Sequence, residues 1–496
     1  MERFDGAAAT RWALLAAERL GEQREWINSI NVFPVADSDT GTNSLLTLEG
    51  GIEALRGLEP HARVDEVLGA FARGALVAAR GNSGVIMSQF VAGMAAHLDP
   101  AAPHALDARE LSRALRAGHR AAKGAVAEPV RGTVLSATRR ASKAARRCAK
   151  EGGDVAAVCR AALDGAREAA RRSPEELEVL AQAGVVDAGA SVLVVVLEAL
   201  VEAVTGERPA VSGALAGGRV TTGAVPIVAP DLTCAPQAGS DGEFELMFLL
   251  EAPHDEALTG RLRGRLAAHG ESVAVVGSAG VWQAHVHTDV PARALAAGAL
   301  GTQRQVVVRH LALHAGEAMP AGLGVVAAVR EPGLLVEAAR AGAVVHVPSD
   351  PPATAAELRR AAQDTGAEHV VVLAEDAGTL EAARGAGLEV CEVRDGLHAV
   401  LALGGLVAHG SAAHGPAEAL ALLRDAAARV RTVELDRADE LESVARDAEL
   451  VAVLHGTLVE VELLDELERR ALAAGAGEFV TFDSGRADAQ LRAGVA

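Results

Sequence analysis

Apolar residues recur at helical spacing along the first part of the chain. Trp12, Leu14 and Leu15 are followed by Ile27 and Ile30, and Val64, Val67, Leu68, Phe71 and Leu76 repeat the same rhythm. This periodicity puts one face of each segment on a common core and predicts an all-α domain from Thr10 to about Val204. Short turns of Gly, Ser, Thr and Asp separate the helices. From Thr205 to about Ser240 the pattern breaks: Gly217-Gly218, Pro226, Pro230 and Pro236 mark a linker with room for one short strand. Strand-like runs follow at Phe244–Glu251, Ser272–Val276 and Val281–Val286, with a helical run at Leu258–His269, predicting a small α+β domain to about residue 318. From Gly324 the β-branched runs Val325–Val329, Ala343–Val347, His369–Leu373 and Leu450–Leu454 alternate with Ala-rich helices, which predicts an α/β domain. The expected division is therefore a helical domain over 1–205, a linker over 206–241, an α+β middle domain over 242–318 and an α/β domain over 322–496.

Composition sharpens this picture. Half of the 496 residues are hydrophobic, yet only 2% are aromatic and Tyr is absent. The core must be built from Ala, Val and Leu, which suits closely packed helices. The formal net charge of -19 argues against nucleic acid as a partner, since phosphate backbones reward basic faces. The strongest apolar run, Val192 to Leu197, is cut by Glu198 and Glu202 and falls short of the ~20 residues of a membrane span. The first ten residues lack a basic segment followed by an apolar one, so no secretory signal is expected. Cys148, Cys159, Cys234 and Cys391 are scattered without CxxC spacing, which argues against a disulfide framework. A cytoplasmic protein that does not span a membrane is expected.

The polar chemistry concentrates in four turns. Asn31-Val32-Phe33-Pro34-Val35-Ala36-Asp37-Ser38-Asp39-Thr40-Gly41-Thr42-Asn43 sets two carboxylates two residues apart, just before a helical pattern from Leu45. Hard cations such as Mg²⁺ take oxygen ligands and often share phosphate oxygens, and a helix start offers N–H groups and a positive dipole end to an anion. The segment reads as a metal–polyphosphate site. A solvated Asx-turn is the plain alternative. In Arg80-Gly81-Asn82-Ser83-Gly84, glycines flank a hydroxyl and let backbone approach an anion; alone this is a helix cap. Gly132-Thr133-Val134-Leu135 and Val185-Val186-Asp187-Ala188-Gly189-Ala190 are further helix starts. Four such turns can converge at one end of a bundle, where ligand sites are commonly built.

Taken in order, NVFPVADSDTGTN, ARGNSGVIMSQF, GTVLS and AGVVDAGAS resemble the ATP-binding domain of the dihydroxyacetone-kinase L-subunit (DAK2) family, and most closely the ATP-binding subunit of the fatty acid kinases. The resemblance covers about residues 10–204 and implies a barrel-like helical bundle that holds ATP through Mg²⁺. By motif, it makes Asp37 and Asp39 the Mg²⁺ ligands and catalytic pair. Thr40, Gly41, Thr42, Asn43, Gly81, Asn82, Ser83 and Gly84 surround the phosphates, while Gly132, Thr133, Asp187 and Gly189 line the nucleotide pocket. Asn31 stands where the small dihydroxyacetone-kinase subunits carry a third aspartate. Ala188-Gly189-Ala190-Ser191-Val192-Leu193 replaces the family's usual AGGQGL.

In the middle region His285-Val286-His287-Thr288 is similar to a fatty acid kinase segment whose two histidines join a cysteine on zinc. Residues two apart in a strand share a face, but two histidines alone are not a zinc site. Glu245 stands nearest the missing cysteine, so the resemblance implies a Glu245, His285, His287 set for Zn²⁺. In the last domain only the Pro348-Ser349 pair of a family segment survives. The implied reaction is phosphoryl transfer from ATP to a fatty acid presented by a separate fatty-acid-binding, DegV-like protein, giving an acyl phosphate. A homodimer is the other association expected. The alternatives are a nucleotide-binding regulator or scaffold without catalysis, and a kinase for a small hydroxyketone of the glycerone kinase type.

Other signals carry less. Gly322-Leu323-Gly324 precedes a strand instead of following one, so it is no dinucleotide fingerprint. No GxxxxGK[ST] segment exists. Arg139-Arg140, Lys143, Arg146-Arg147 and Lys150 read as a solvated helix face or a docking face for an acidic partner. His409, His414 and His455 are isolated and read as structural.

Overall fold

Asp5 ends a two-residue strand, β1 (Phe4–Asp5), and its carboxylate accepts the Ala8 amide at 2.8 Å, which starts α1 (Gly6–Ser29). The computed structural model describes residues 3–34, 36, 38–98, 105–126, 129–209, 242–253, 255, 257–278, 280–312, 319–410 and 413–496. Asp37, Cys234 and the expected linker from 210 to 241 lie outside the described residues. After α1 come α2 (Thr40–Leu55), α3 (Val64–Ala78), α4 (Gly81–Ala96), the strand β2 (Ala105–Leu106) and α5 (Ala108–Ala125). Then follow α6 (Val134–Lys150), α7 (Val155–Arg171), the short α8 (Ser173–Glu176) and α9 (Glu178–Ala183), and α10 (Ala188–Thr205). β1 pairs antiparallel with β2.

Helices α1 to α7 pack in sequence order, and α10 closes the ring against both α7 and α1. Asp107, Thr133, Asp154 and Asp187 cap α5, α6, α7 and α10 by accepting amides of the first turn. The core is largely Ala, Val and Leu, with Trp12 and Phe90 among its few aromatics. Trp12 Nε1 donates to Val196 O at 2.8 Å, tying α1 to α10. α10 is long and apolar enough to cross a membrane by composition, but 83% of it is buried inside the protein. Its two glutamates are neutralised in place: Glu198 pairs with Arg167 at 2.7 Å, and Glu202 with Arg19. The polar breaks in this run are thus ion pairs of a core helix.

The chain forms two compact units, one of 1–241 with 254–263 and 272–285, the other of 242–253, 264–271 and 286–496. The elements after α10 are β3 (Phe244–Glu251), α11 (Leu258–Ala267), β4 (Glu271–Ser278), β5 (Val281–Thr288), α12 (Pro291–Ala297) and β6 (Thr302–His310). Next come β7 (Leu323–Ala328), α13 (Leu335–Arg340), β8 (Val344–Val347), α14 (Ala355–Asp364), β9 (His369–Ala374), α15 (Ala377–Gly385) and β10 (Glu389–Glu392). The chain ends with α16 (Gly396–His409), α17 (Pro416–Arg429), β11 (Arg431–Glu434), α18 (Glu440–Ala445), β12 (Leu450–His455), α19 (Val461–Ala473), β13 (Glu478–Asp483) and β14 (Leu491–Val495).

In the first unit, Ala274 and Val276 of β4 pack on Ala79, Val85 and Ala125, and Gln283 Nε2 donates to Ala79 O at 3.0 Å. In the second, the strand order β10-β9-β7-β8 is parallel throughout, and β6 runs antiparallel to both β8 and β3. β5 and β4 follow β3 in the same sheet order. A separate sheet has the order β11-β14-β12-β13. The protein is multidomain: a helical N-terminal region followed by α/β regions with mixed sheets.

Candidate nucleotide site

The first two glycine-bearing turns meet. Thr40, at the first position of α2, lies with its Oγ1 3.5 Å from Ser83 Oγ at the start of α4. Asp39 precedes α2, is half-buried, and its carbonyl accepts the Asn43 amide at 2.8 Å. Thr47 anchors the pair one turn deeper: its Oγ1 donates to Asn43 O at 2.7 Å and accepts the Arg80 amide at 3.4 Å. A Cβ on Gly84 would lie 2.3 Å from that same oxygen, so only glycine lets α4 start this close to α2. Gly81 adopts φ +54°, the left-handed region that turns the chain into α4. Asn82 and Ser83 are half-buried beside it.

Sequence reasoning missed the residue that fixes the first turn. Asn28, near the end of α1, accepts the amides of Gly41 and Thr42 at 2.7 and 3.2 Å and donates to Thr42 Oγ1 at 2.9 Å. It acts as an N-cap supplied from another helix. The only signal for it is a polar residue in a last helical turn, thirteen positions before Gly41. Two of the amides expected to face phosphate are engaged by this side chain. Asn28→Ala is expected to cost about 1–2 kcal/mol of stability, because it leaves both amides without their acceptor. Urea unfolding checks this, and an unchanged midpoint contradicts it.

The DAK2 domain family matches residues 34–202, and the FakA-like middle domain of the fatty acid kinases matches residues 241–318. The chain carries both domains. It is 31% identical to Protein YloV of Bacillus subtilis over 304 residues, 59% of this chain and 52% of that one. It is 33% identical to an uncharacterized protein of Staphylococcus saprophyticus over 207 residues, 42% of this chain and 37% of that one. The chain thus spans about half the length, or less, of these relatives. Among solved structures it is similar to the dihydroxyacetone kinase of C. freundii in complex with AMP-PNP and Mg²⁺, at 23% identity and a TM-score of 0.32 over 39% of this chain and 33% of that one. It is also similar to a DegV family protein of Corynebacterium glutamicum, at 16% identity and a TM-score of 0.28, covering 36% of this chain and 97% of that one. Both likenesses are too distant to carry an argument about chemistry. The two domains mark a kinase-subunit family related to the dihydroxyacetone-kinase L-subunit.

The other two turns of the DAK2 domain also meet. Gly132 adopts φ +80°, and Thr133 caps α6 while its Oγ1 donates to Val130 O at 2.9 Å. Asp187 caps α10, accepting the Ala190 amide at 2.6 Å, and its carboxylate also accepts the Val134 amide of α6. It joins two helix starts, each with a positive dipole end. A Cβ on Gly189 would meet Val134 Cβ at 3.2 Å, so this turn also fits closely against α6. Burial nevertheless dominates and pushes the Asp187 carboxyl up to about 7. α10 packs against both α2 and α6, which links the two pairs of turns through one helix.

In the middle region Glu245 on β3 and His285 and His287 on β5 are all buried, with ligand atoms within 4.8 Å of one another. Arg309, opposite Glu245 in the β3–β6 register, pairs with one carboxylate oxygen. Two imidazole nitrogens and a carboxylate oxygen are a donor set that suits zinc, so these side chains fit the implied ion.

Proposed function

We propose that the chain is an ATP- and Mg²⁺-dependent kinase subunit. It passes the γ-phosphoryl group to a fatty acid presented by a separate DegV-like binding protein, giving an acyl phosphate. The observation that carries this reading is the meeting of the Asp39–Thr40 and Ser83 turns at two helix starts inside a DAK2 domain. Asp37 and Asp39 hold Mg²⁺, which neutralises phosphate charge when bound. The Thr40 and Ser83 hydroxyls face each other and position phosphate oxygens, with Gly81, Asn82 and Gly84 allowing close backbone approach. Asn28 keeps Gly41, Thr42 and Asn43 in the helical geometry that holds Asp39 at the mouth of α2. Thr133, Gly132, Asp187 and Gly189 line the nucleoside side. Phosphoryl transfer depends mainly on positioning and charge stabilisation, so acidic ligands and oriented donors are sufficient machinery.

The fatty acid acceptor and its carrier are supported by the middle-domain match over 241–318. The test is ATP-dependent formation of acyl phosphate on oleate carried by a purified DegV-like protein. Turnover only in the presence of that carrier supports the reading; ATP consumption indifferent to carrier and lipid counts against the acceptor. A second reading, a nucleotide-binding regulator, draws on the Gly41 and Thr42 amides already being engaged by Asn28. Acyl phosphate formation excludes it. In the middle domain Glu245, His285 and His287 hold a structural zinc. Elemental analysis of protein purified without chelator is expected to find stoichiometric zinc, lost in His287→Ala; a metal-free wild type contradicts this.

A further inference from the structure

On a chain of formal net charge -19, one face is strongly basic. Arg116, Arg120 and Lys123 are exposed on α5 at helical spacing. Arg139, Lys143 and Arg146 follow the same spacing on α6; the last two are exposed and Arg139 is half-buried. The two rows belong to one surface. His119 of α5 lies against Thr138 of α6 at 2.9 Å, and its imidazole feels Lys123, Arg139, Lys143 and Arg120 together. α6 contains no acidic residue, and α5 has only Glu110, in its first turn. Among the described residues the one ion pair on α6 is Arg140 with Glu176, and none of the six basic groups above forms one.

We infer that this α5–α6 face adsorbs the protein to anionic lipid headgroups. Six cations without counter-charges of their own are costly to hold together unless they meet an anionic surface, and screening at physiological salt limits repulsion from distant acids to about 8 Å. The shape favours a plane. Two neighbouring helices, about 27 and 25 Å long by their residue counts, form a low ledge with no protruding element to enter a nucleic-acid groove. The chemistry also argues against a protein partner. Neither α5 nor α6 carries an exposed large apolar residue, the nearest being Val130 before α6, and protein interfaces need such anchors. Electrostatic adsorption to anionic lipid needs none. This inference does not depend on the kinase reading.

The test is co-sedimentation of the full chain with vesicles of phosphatidylcholine and phosphatidylglycerol (7:3), with pure phosphatidylcholine vesicles and a 20-bp duplex as parallel probes. Binding is expected to the anionic vesicles at 50 mM salt and to fall sharply by 300 mM. Arg120→Glu/Lys143→Glu/Arg146→Glu is expected to lower it at least tenfold, and the neutral Lys143→Gln/Arg146→Gln pair by less, with circular dichroism and nucleotide uptake unchanged. No binding to anionic vesicles at low salt overturns the inference. So does equal binding to neutral vesicles, indifference to the triple variant, or a preference for the duplex.

Discussion

Asp39→Ala is expected to lower ATP turnover by about 10³-fold or more, the scale of losing a ligand that holds the charge-neutralising metal. The same change should leave the fold intact. Asp39 is half-buried ahead of α2, and the contact its neighbour depends on, the Asn43 amide, is made to the Asp39 backbone carbonyl. Helix formation therefore survives removal of the side chain. Asp37→Ala should behave alike. The informative readout is paired: turnover by phosphate release and helicity by circular dichroism on the same sample. Loss of both together points to a structural role, and retained turnover removes the carboxylate from the machinery.

The second large effect is a pH dependence of stability centred on Asp187. Burial raises its carboxyl from 3.8 to about 7 against the opposing amides of Ala190 and Val134. The folded state therefore binds this proton more tightly than the unfolded chain. Stability from this group is fully present below pH 3.8 and is lost as pH rises towards about 7. Between pH 5 and 8 the loss is on the order of 3 kcal/mol. Asp187→Asn keeps a carbonyl oxygen for the Ala190 amide and removes the titration. Urea unfolding at pH 5 and 8 is expected to show a wild type weaker at pH 8 and a variant with that difference largely erased. An identical pH response in both proteins would falsify the linkage.

The helical region was legible because burial and periodicity coincide there. Val64, Val67, Leu68 and Phe71 are all buried on α3, as their spacing requires. Strands β7 and β12 announced themselves as continuous apolar runs, the mark of strands covered on both faces. β11 and β13 did not. Arg431–Glu434 and Glu478–Asp483 are mostly exposed and polar, so nothing in their composition separates them from loop. β1 and β2, with two residues each, are too short to leave a pattern. The motif turns were legible as helix starts, and the structure joins them in pairs, Thr40 with Ser83 and Asp187 with Val134. What escaped were side chains whose role exists only in three dimensions. Asn28 and Thr47 sit inside helices and carry no local signature, yet they hold the Gly41 and Gly84 turns.

Calorimetric titration of the full chain with ATP, run with and without Mg²⁺, probes the site most directly. Saturable uptake that requires the metal and is lost in Asp39→Ala is the expected outcome. Heat indistinguishable from dilution in the presence of Mg²⁺ contradicts the assignment of the two turn pairs to a nucleotide.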